Sequence, residues 1–239
     1  MMNCMDFPAP REDGVAPAEI SSRHGRGGFN PYVNNGGTVV SVAGDDFVVG
    51  VGDTRLSVGY SIHSRMQSKI TKLTSRCCIA SSGMQADVQT LHKWLKTRVA
   101  MFQHQHREEP SVIAVAQLLS TVLYSRRFFP YYTFNVLFGL DSEGKGAVFG
   151  YDAIGSFERA NYNCAGTGSS LTMSILDNQI AQNNQQKQKP KLTKEETIAL
   201  VRGILASAGE RDIFTGDQAE VVVIDSSGIH TELVPLRND

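Results

Sequence analysis

The sequence predicts an α+β fold in which antiparallel sheets are stacked between layers of helices. Three observations carry this expectation. Strand-like segments occur in groups joined by short turns, which makes sequence neighbours antiparallel. Pairs of helix-period stretches separate those groups, so helices fall outside the stacked sheets. No linker interrupts residues 29–239, which argues for a single domain.

The first group begins with Thr38–Ala43 and Phe47–Gly52, two Val-rich strands flanking a turn at Gly44-Asp45-Asp46. Shorter strand-like pieces follow at Ser61–His63, Ile70–Leu73 and Cys77–Ser81. The period then changes. Val88, Leu91, Leu95, Val99 and Phe102 recur every three or four residues and define one face of a helix of about 20 residues. Pro110 separates it from a second helix, Ser111 to about Arg127, with Ile113, Leu118, Leu119 and Val122 as its apolar residues. Pro130 lies beyond the point where that helix must end. Strands return as a hairpin, Thr133–Leu140 and Gly146–Tyr151, turning through Asp141-Ser142-Glu143-Gly144. A third helix starts near Ser169 and carries Met173, Leu176 and Ile180. The stretch Gln182–Lys191 reads as a solvated loop. Thr193 and Glu196 then form a capping box for a fourth helix with Ile198, Val201 and Leu205 on its buried side. A last hairpin pairs Glu220–Ile224 with Ile229–Val234. No repeat of 20–50 residues occurs, which excludes a solenoid.

Composition narrows the function classes. The 239 residues hold 23 Lys+Arg against 24 Asp+Glu, for a net charge of −1, with 41% hydrophobic and 20% charged residues. That is the profile of a globular chain. Near-neutral charge removes the electrostatic pull of a nucleic-acid binder. No apolar run reaches the 18 or so residues of a membrane span, so neither nucleic acid nor membrane is an expected partner. The four cysteines, Cys4, Cys77, Cys78 and Cys164, have no metal-ligand spacing and do not form a disulfide scaffold. A reducing compartment, cytoplasm and nucleus, is expected. Residues 1–28 hold three of the eight prolines with mixed charge, and read as a disordered or removable leader.

Most candidate motifs are weak. Gly50-Val51-Gly52 lacks the third glycine and the following helix of a dinucleotide site. Gly166-Thr167-Gly168-Ser169 precedes a helix and offers a small-anion site, but it has no phosphate-binding lysine. His104 and His106 stand two apart near a helix end and share no face, so no metal is expected. No Gly-x-Ser-x-Gly elbow occurs. No organic cofactor is implied.

One constellation is specific. Gly36-Gly37-Thr38 opens the first strand, Asp53-Thr54-Arg55 closes the second, and Lys69 follows Asp53 by 16 residues. Late in the chain stand Gly166-Thr167-Gly168 and Glu210-Arg211-Asp212-Ile213-Phe214-Thr215-Gly216. This layout resembles the beta subunits of the 20S proteasome, members of the N-terminal nucleophile hydrolases, from Phe29 to Asp239. Asn30-Pro31-Tyr32, Tyr124 to Tyr132, Gly139-Leu140-Asp141 and Glu143 to Val148 further resemble the non-catalytic subtype at the sixth position of the beta ring. The resemblance implies a four-layer αββα sandwich, two antiparallel sheets between helix layers. It also implies partners: other beta subunits in a seven-membered ring, the opposite beta ring and the adjacent alpha ring.

In active members of the family an N-terminal Thr supplies both nucleophile and base. Its hydroxyl attacks the peptide carbonyl while its α-amine, with an ordinary pKa of about 7.7–8.0, moves the proton. A Lys lowers the hydroxyl pKa, an Asp orients the Lys, and leader removal frees the amine. Asp53 and Lys69 match that Asp and Lys, and Asp212 matches a late Asp. Thr167 and Thr215 stand where active members usually carry Ser. Counting back 16 residues from Asp53, or 32 from Lys69, lands on Gly37, which has no nucleophile. The resemblance therefore implies a catalytically silent subunit that supports ring assembly and the chamber used for ubiquitin-dependent degradation. The alternative is an active threonine-type endopeptidase using Thr38, whose bond to Gly37 resembles the one cleaved when active subunits mature. A one-residue deletion in the Gly44-Asp45-Asp46 turn would restore its register.

Overall fold

The computed structural model describes residues 30–182 and 191–239. The expected leader and most of the expected Gln182–Lys191 loop lie outside the described residues. The chain divides into two units, Met1–Pro31 and Tyr32–Asp239, and the fold belongs to the second.

Two five-stranded sheets and one small hairpin hold the strands of the described residues. The first sheet runs β10 (Tyr162–Gly166), β1 (Thr38–Ala43), β2 (Val48–Asp53), β11 (Gln218–Asp225), β12 (Gly228–Pro235). The second runs β5 (Ile70–Thr74), β6 (Cys77–Gly83), β7 (Thr133–Leu140), β8 (Gly146–Tyr151), β9 (Phe157–Ala160). β3 (Leu56–Val58) and β4 (Ser61–Ser64) pair with each other between them in sequence. Every pairing is antiparallel, as the short turns predict.

Side-chain alternation builds the layers. In β1, Val39 joins a cluster with Ile70, Cys78, Val136, Phe138 and Ile224, drawn from both sheets. Its neighbours Val40 and Val42 point the other way, onto Leu176, Val201 and Leu205. Those residues lie on α3 (Ser169–Leu176) and α4 (Lys194–Gly209). On the far side, Ile79 and Leu137 pack with Leu91, Leu95 and Leu119 of α1 (Gln85–His106) and α2 (Val112–Ser125). Three cores thus separate four layers, the αββα sandwich. Gly50 permits a close approach of the sheets, since a Cβ there would lie 2.2 Å from Phe138 Cζ.

Local signals place the helices where the sequence predicts. Ser111 accepts the Ala114 N–H at 3.2 Å and caps α2. Thr193 and Glu196 form the expected capping box of α4. The buried stripe of α2 differs from expectation. It runs through Val112, Val115, Ala116, Leu119, Val122 and Leu123, while Ile113 is exposed. Leu119 and Val122 set the phase at 3.6 residues per turn, and Ile113 falls outside that stripe. α3 continues into one π-helical turn, Asp177–Ala181.

A polar chain crosses the α1 interface. Ser81 donates to Asn135 Oδ1 at 2.7 Å, so its oxygen must accept from His92 Nε2–H at 2.8 Å. His92 Nδ1 lies 2.9 Å from the Thr71 hydroxyl, whose proton it accepts in the neutral imidazole. Burial, aided by Lys96 one turn away, pushes the His92 pKa down to about 4. A depressed folded pKa favours folding above the unfolded value of about 6.5 and loses that contribution as pH falls through 4. The full shift corresponds to about 3 kcal/mol. In a pH series of urea unfolding of the full chain, His92→Gln is expected to flatten the stability loss between pH 6.5 and 4. An unchanged slope would remove His92 from the acid sensitivity.

Candidate functional site

The residues singled out in the sequence converge at one corner of the sandwich, where β1 begins. They form two linked groups rather than one.

The first group is Gly37, Asp53 and Lys69. Two consecutive glycines precede β1 with positive φ, +70° at Gly36 and +90° at Gly37, which L side chains rarely adopt. A Cβ on Gly37 would lie 2.0 Å from Lys69 Cε and 2.8 Å from Asp53 Oδ1. Position 37 therefore faces the lysine and the aspartate directly, as the spacing predicts. The Lys69 ammonium has three acceptors for its three protons: the Arg55 carbonyl at 2.6 Å, the Asp53 carbonyl at 3.0 Å and Asp53 Oδ1 at 3.2 Å. Asp53, at 0% exposure, also accepts the N–H groups of Thr38 at 2.7 Å, Arg55 at 3.1 Å and Gly216 at 3.4 Å. Burial pushes its carboxyl above its ordinary value, against the pull of Lys69 and of the Thr38 and Arg55 amides.

The second group is Thr38, Thr167, Asp212 and Thr215. Thr215 donates to Asp212 Oδ2 at 2.7 Å, so the Thr38 hydroxyl donates to Thr215 at 2.7 Å. Thr38 Oγ1 also accepts from the Gly168 N–H at 2.9 Å. Thr167 donates to the same Asp212 oxygen at 2.5 Å. Thr38 is fully buried, and its side chain points away from Lys69. The alternation along β1 that separates Val39 from Val40 separates positions 37 and 38 as well.

These contacts also decide the anion-site expectation at the Gly166–Ser169 turn. The Thr167 N–H is taken by the Gly37 carbonyl at 3.0 Å and the Gly168 N–H by Thr38. The turn is a strand-to-helix junction that holds β1, with its leading amides engaged. His104 and His106 are exposed on the last turn of α1. Among the described residues no cluster of three or more His, Cys, Asp or Glu could hold a metal. No described helix is long and apolar enough to cross a membrane.

A neighbouring ion network was not singled out in the sequence. Arg55 donates to both Asp217 oxygens, at 2.9 and 3.3 Å, and to the carbonyls of Ile213 and Arg237 at 2.9 and 3.3 Å. Arg65 pairs with Asp217 too, and reaches the Asn238 carbonyl at 2.8 Å. Burial would raise the Asp217 carboxyl, but the hydrogen bonds from Arg55 and Arg65 outweigh it and hold the pKa low. The network ties the β2–β3 corner to residues 237–238. Arg55 was in view as part of Asp53-Thr54-Arg55, yet nothing local marks Asp217 as its partner.

A profile of the proteasome subunit family matches residues 33–224. The chain belongs to the proteasome subunit family. Among its relatives, proteasome subunit beta type-1 of Arabidopsis thaliana is 52% identical over 88% of this chain and 97% of its own length. Proteasome subunit beta type-1 of Dictyostelium discoideum is 48% identical over 96% of each chain. The protein of the same name from Danio rerio is 45% identical over 88% of this chain and 90% of its own. Family membership accounts for the sandwich and for the convergence of these residues where β1 begins.

Proposed function

We propose that this proteasome subunit is a non-catalytic beta subunit of the 20S core, a wall and spacer element that supports ring assembly and the chamber for ubiquitin-dependent degradation. One observation carries the reading: the position facing Lys69 and Asp53 is Gly37, which offers no hydroxyl. Asp53 and Lys69 act instead as a buried structural pair, and Thr167, Asp212 and Thr215 hold the start of β1. The names of the three relatives given above, each a beta type-1 subunit, agree with this assignment. The partners are other beta subunits in a seven-membered ring, the opposite beta ring and the alpha ring. The compartments are cytoplasm and nucleus, and the domain from residue 29 onward follows a leader trimmed near Gly28 or Phe29.

Thr38 is a poor rival. Its hydroxyl is buried between Gly168 and Thr215, and its own nitrogen donates to Asp53. The intact mass of the subunit released from the purified complex tests the proposal. A mass that begins upstream of Gly37, with no adduct from an electrophile that bridges hydroxyl and amine, is expected. A chain beginning at Thr38 and carrying that adduct would make it a peptidase.

A further inference from the structure

The corner between α2 and β7 presents an unusual surface. Beyond Ser125 the chain makes successive tight turns, with the N–H of Arg126 on Leu123, that of Arg127 on Tyr124 and that of Phe129 on Arg126. Phe128 on these turns is 90% exposed and Phe129 60%, and Tyr124 in the last turn of α2 is 61% exposed beside them. The platform beneath them is fixed. Tyr32 stacks on Phe129 at 5.6 Å and lies against Tyr132 at 5.5 Å, and its hydroxyl donates to the Pro130 carbonyl at 2.7 Å. Asp87 accepts the Tyr132 N–H at 2.8 Å. Fixed rings exposed in one patch mark a contact surface more strongly than scattered apolar residues do.

Two guanidinium groups define its chemistry. Arg126 lies over the Tyr131 ring at 5.3 Å and Arg127 over Phe128 at 5.0 Å. Neither has a carboxylate partner among the described residues. A guanidinium stacked on a ring has one face covered while its N–H edge stays open to a planar oxyanion such as a carboxylate. Arg and aromatic residues are also the types that dominate protein–protein hot spots. Two cations are few for a lipid surface, where basic clusters of about 4–8 are usual.

We propose that this patch docks an acidic segment of another protein subunit, with Phe128 as the apolar anchor and Arg126 and Arg127 pairing its carboxylates. The proposal rests on the chain being a subunit of an assembly. Complementarity decides the occupant: an apolar cleft for the Phe128 ring, flanked by Asp or Glu.

The test uses the full chain in its assembled complex. A benzophenone amino acid at position 128 is expected to crosslink to one partner subunit, in a peptide containing Asp or Glu. Arg126→Glu with Arg127→Glu, and separately Phe128→Ser, are expected to lower incorporation into the complex at least tenfold in competition with wild-type chain. Thermal stability of the free variants should stay within a few degrees, because these side chains are exposed. Wild-type chain absent from the complex would overturn the functional reading itself. Wild-type chain incorporated, with no protein adduct at 128 or with variants that incorporate normally, would overturn this proposal alone. An adduct to lipid or nucleic acid would do the same.

Discussion

Lys69→Met is expected to destabilise the full chain by about 3–5 kcal/mol at neutral pH, because it leaves a buried carboxylate without its cation. For a chain of this size that is a fall in Tm of roughly 10 °C. The pH dependence separates this cause from lost packing. Burial already lifts the Asp53 carboxyl, and Lys69 is the strongest opposing influence. Without Lys69 the folded pKa rises further above the unfolded value of about 3.9. The folded variant then holds a proton that the unfolded chain releases. Its deficit against wild type therefore grows once the pH passes the already raised wild-type folded pKa and levels off above the higher folded pKa of the variant. Adding Asp53→Asn should remove this growth and recover part of the loss. Urea unfolding at several pH values measures both, and a deficit independent of pH would defeat the account.

Gly37→Thr is the second large effect. It restores the residue type of an active nucleophile and is nevertheless expected to damage the protein. The new Cβ would meet Lys69 Cε at 2.0 Å, with the backbone at φ +90°. Overpacking costs about 1–3 kcal/mol and a strained backbone a similar amount. Gly37→Ala should show most of the loss, since the first added carbon makes the clash. Combining it with Lys69→Ala should cost less than the sum of the two single changes, because the ammonium stem is the obstacle. Strict additivity in the cycle, or a Gly37→Thr chain as stable as wild type, would show that the corner can rearrange freely.

Much of this was legible in the residues. Helix positions followed from periodicity and caps, and strands β1, β2, β7, β8, β11 and β12 from Val-rich runs around turns. β3, β9 and β10 were harder to read. They are short, half-buried and mixed in character, as in Phe157-Glu158-Arg159-Ala160 and Tyr162-Asn163-Cys164. Pairing across the molecule, such as β1 with β10, leaves no local trace. The spacing of Gly37, Asp53 and Lys69 points to one cluster, and the three positions lie together where β1 begins. The one-residue offset along β1 likewise puts Thr38 on the opposite face from position 37, but spacing gives no sign of its partners there, Gly168 and Thr215. The Arg55–Asp217–Arg65 network escaped for the same reason as β10: its members meet only after the sheet is complete.

The pairing of β2 with β11 bears on how the chain is made. Gly50 lies opposite Val222 and Asp53 opposite Ala219, so the middle of the first sheet joins segments synthesised far apart. Until β11 leaves the ribosome, one whole edge of β2 has no hydrogen-bonding neighbour, and the Gly216 amide that reaches Asp53 is missing. An unpaired, fully buried-type strand such as Val48–Asp53 is a template for the wrong partner. Nascent chains halted before residue 218 should therefore need a chaperone to stay soluble, and chains extended through β12 should not.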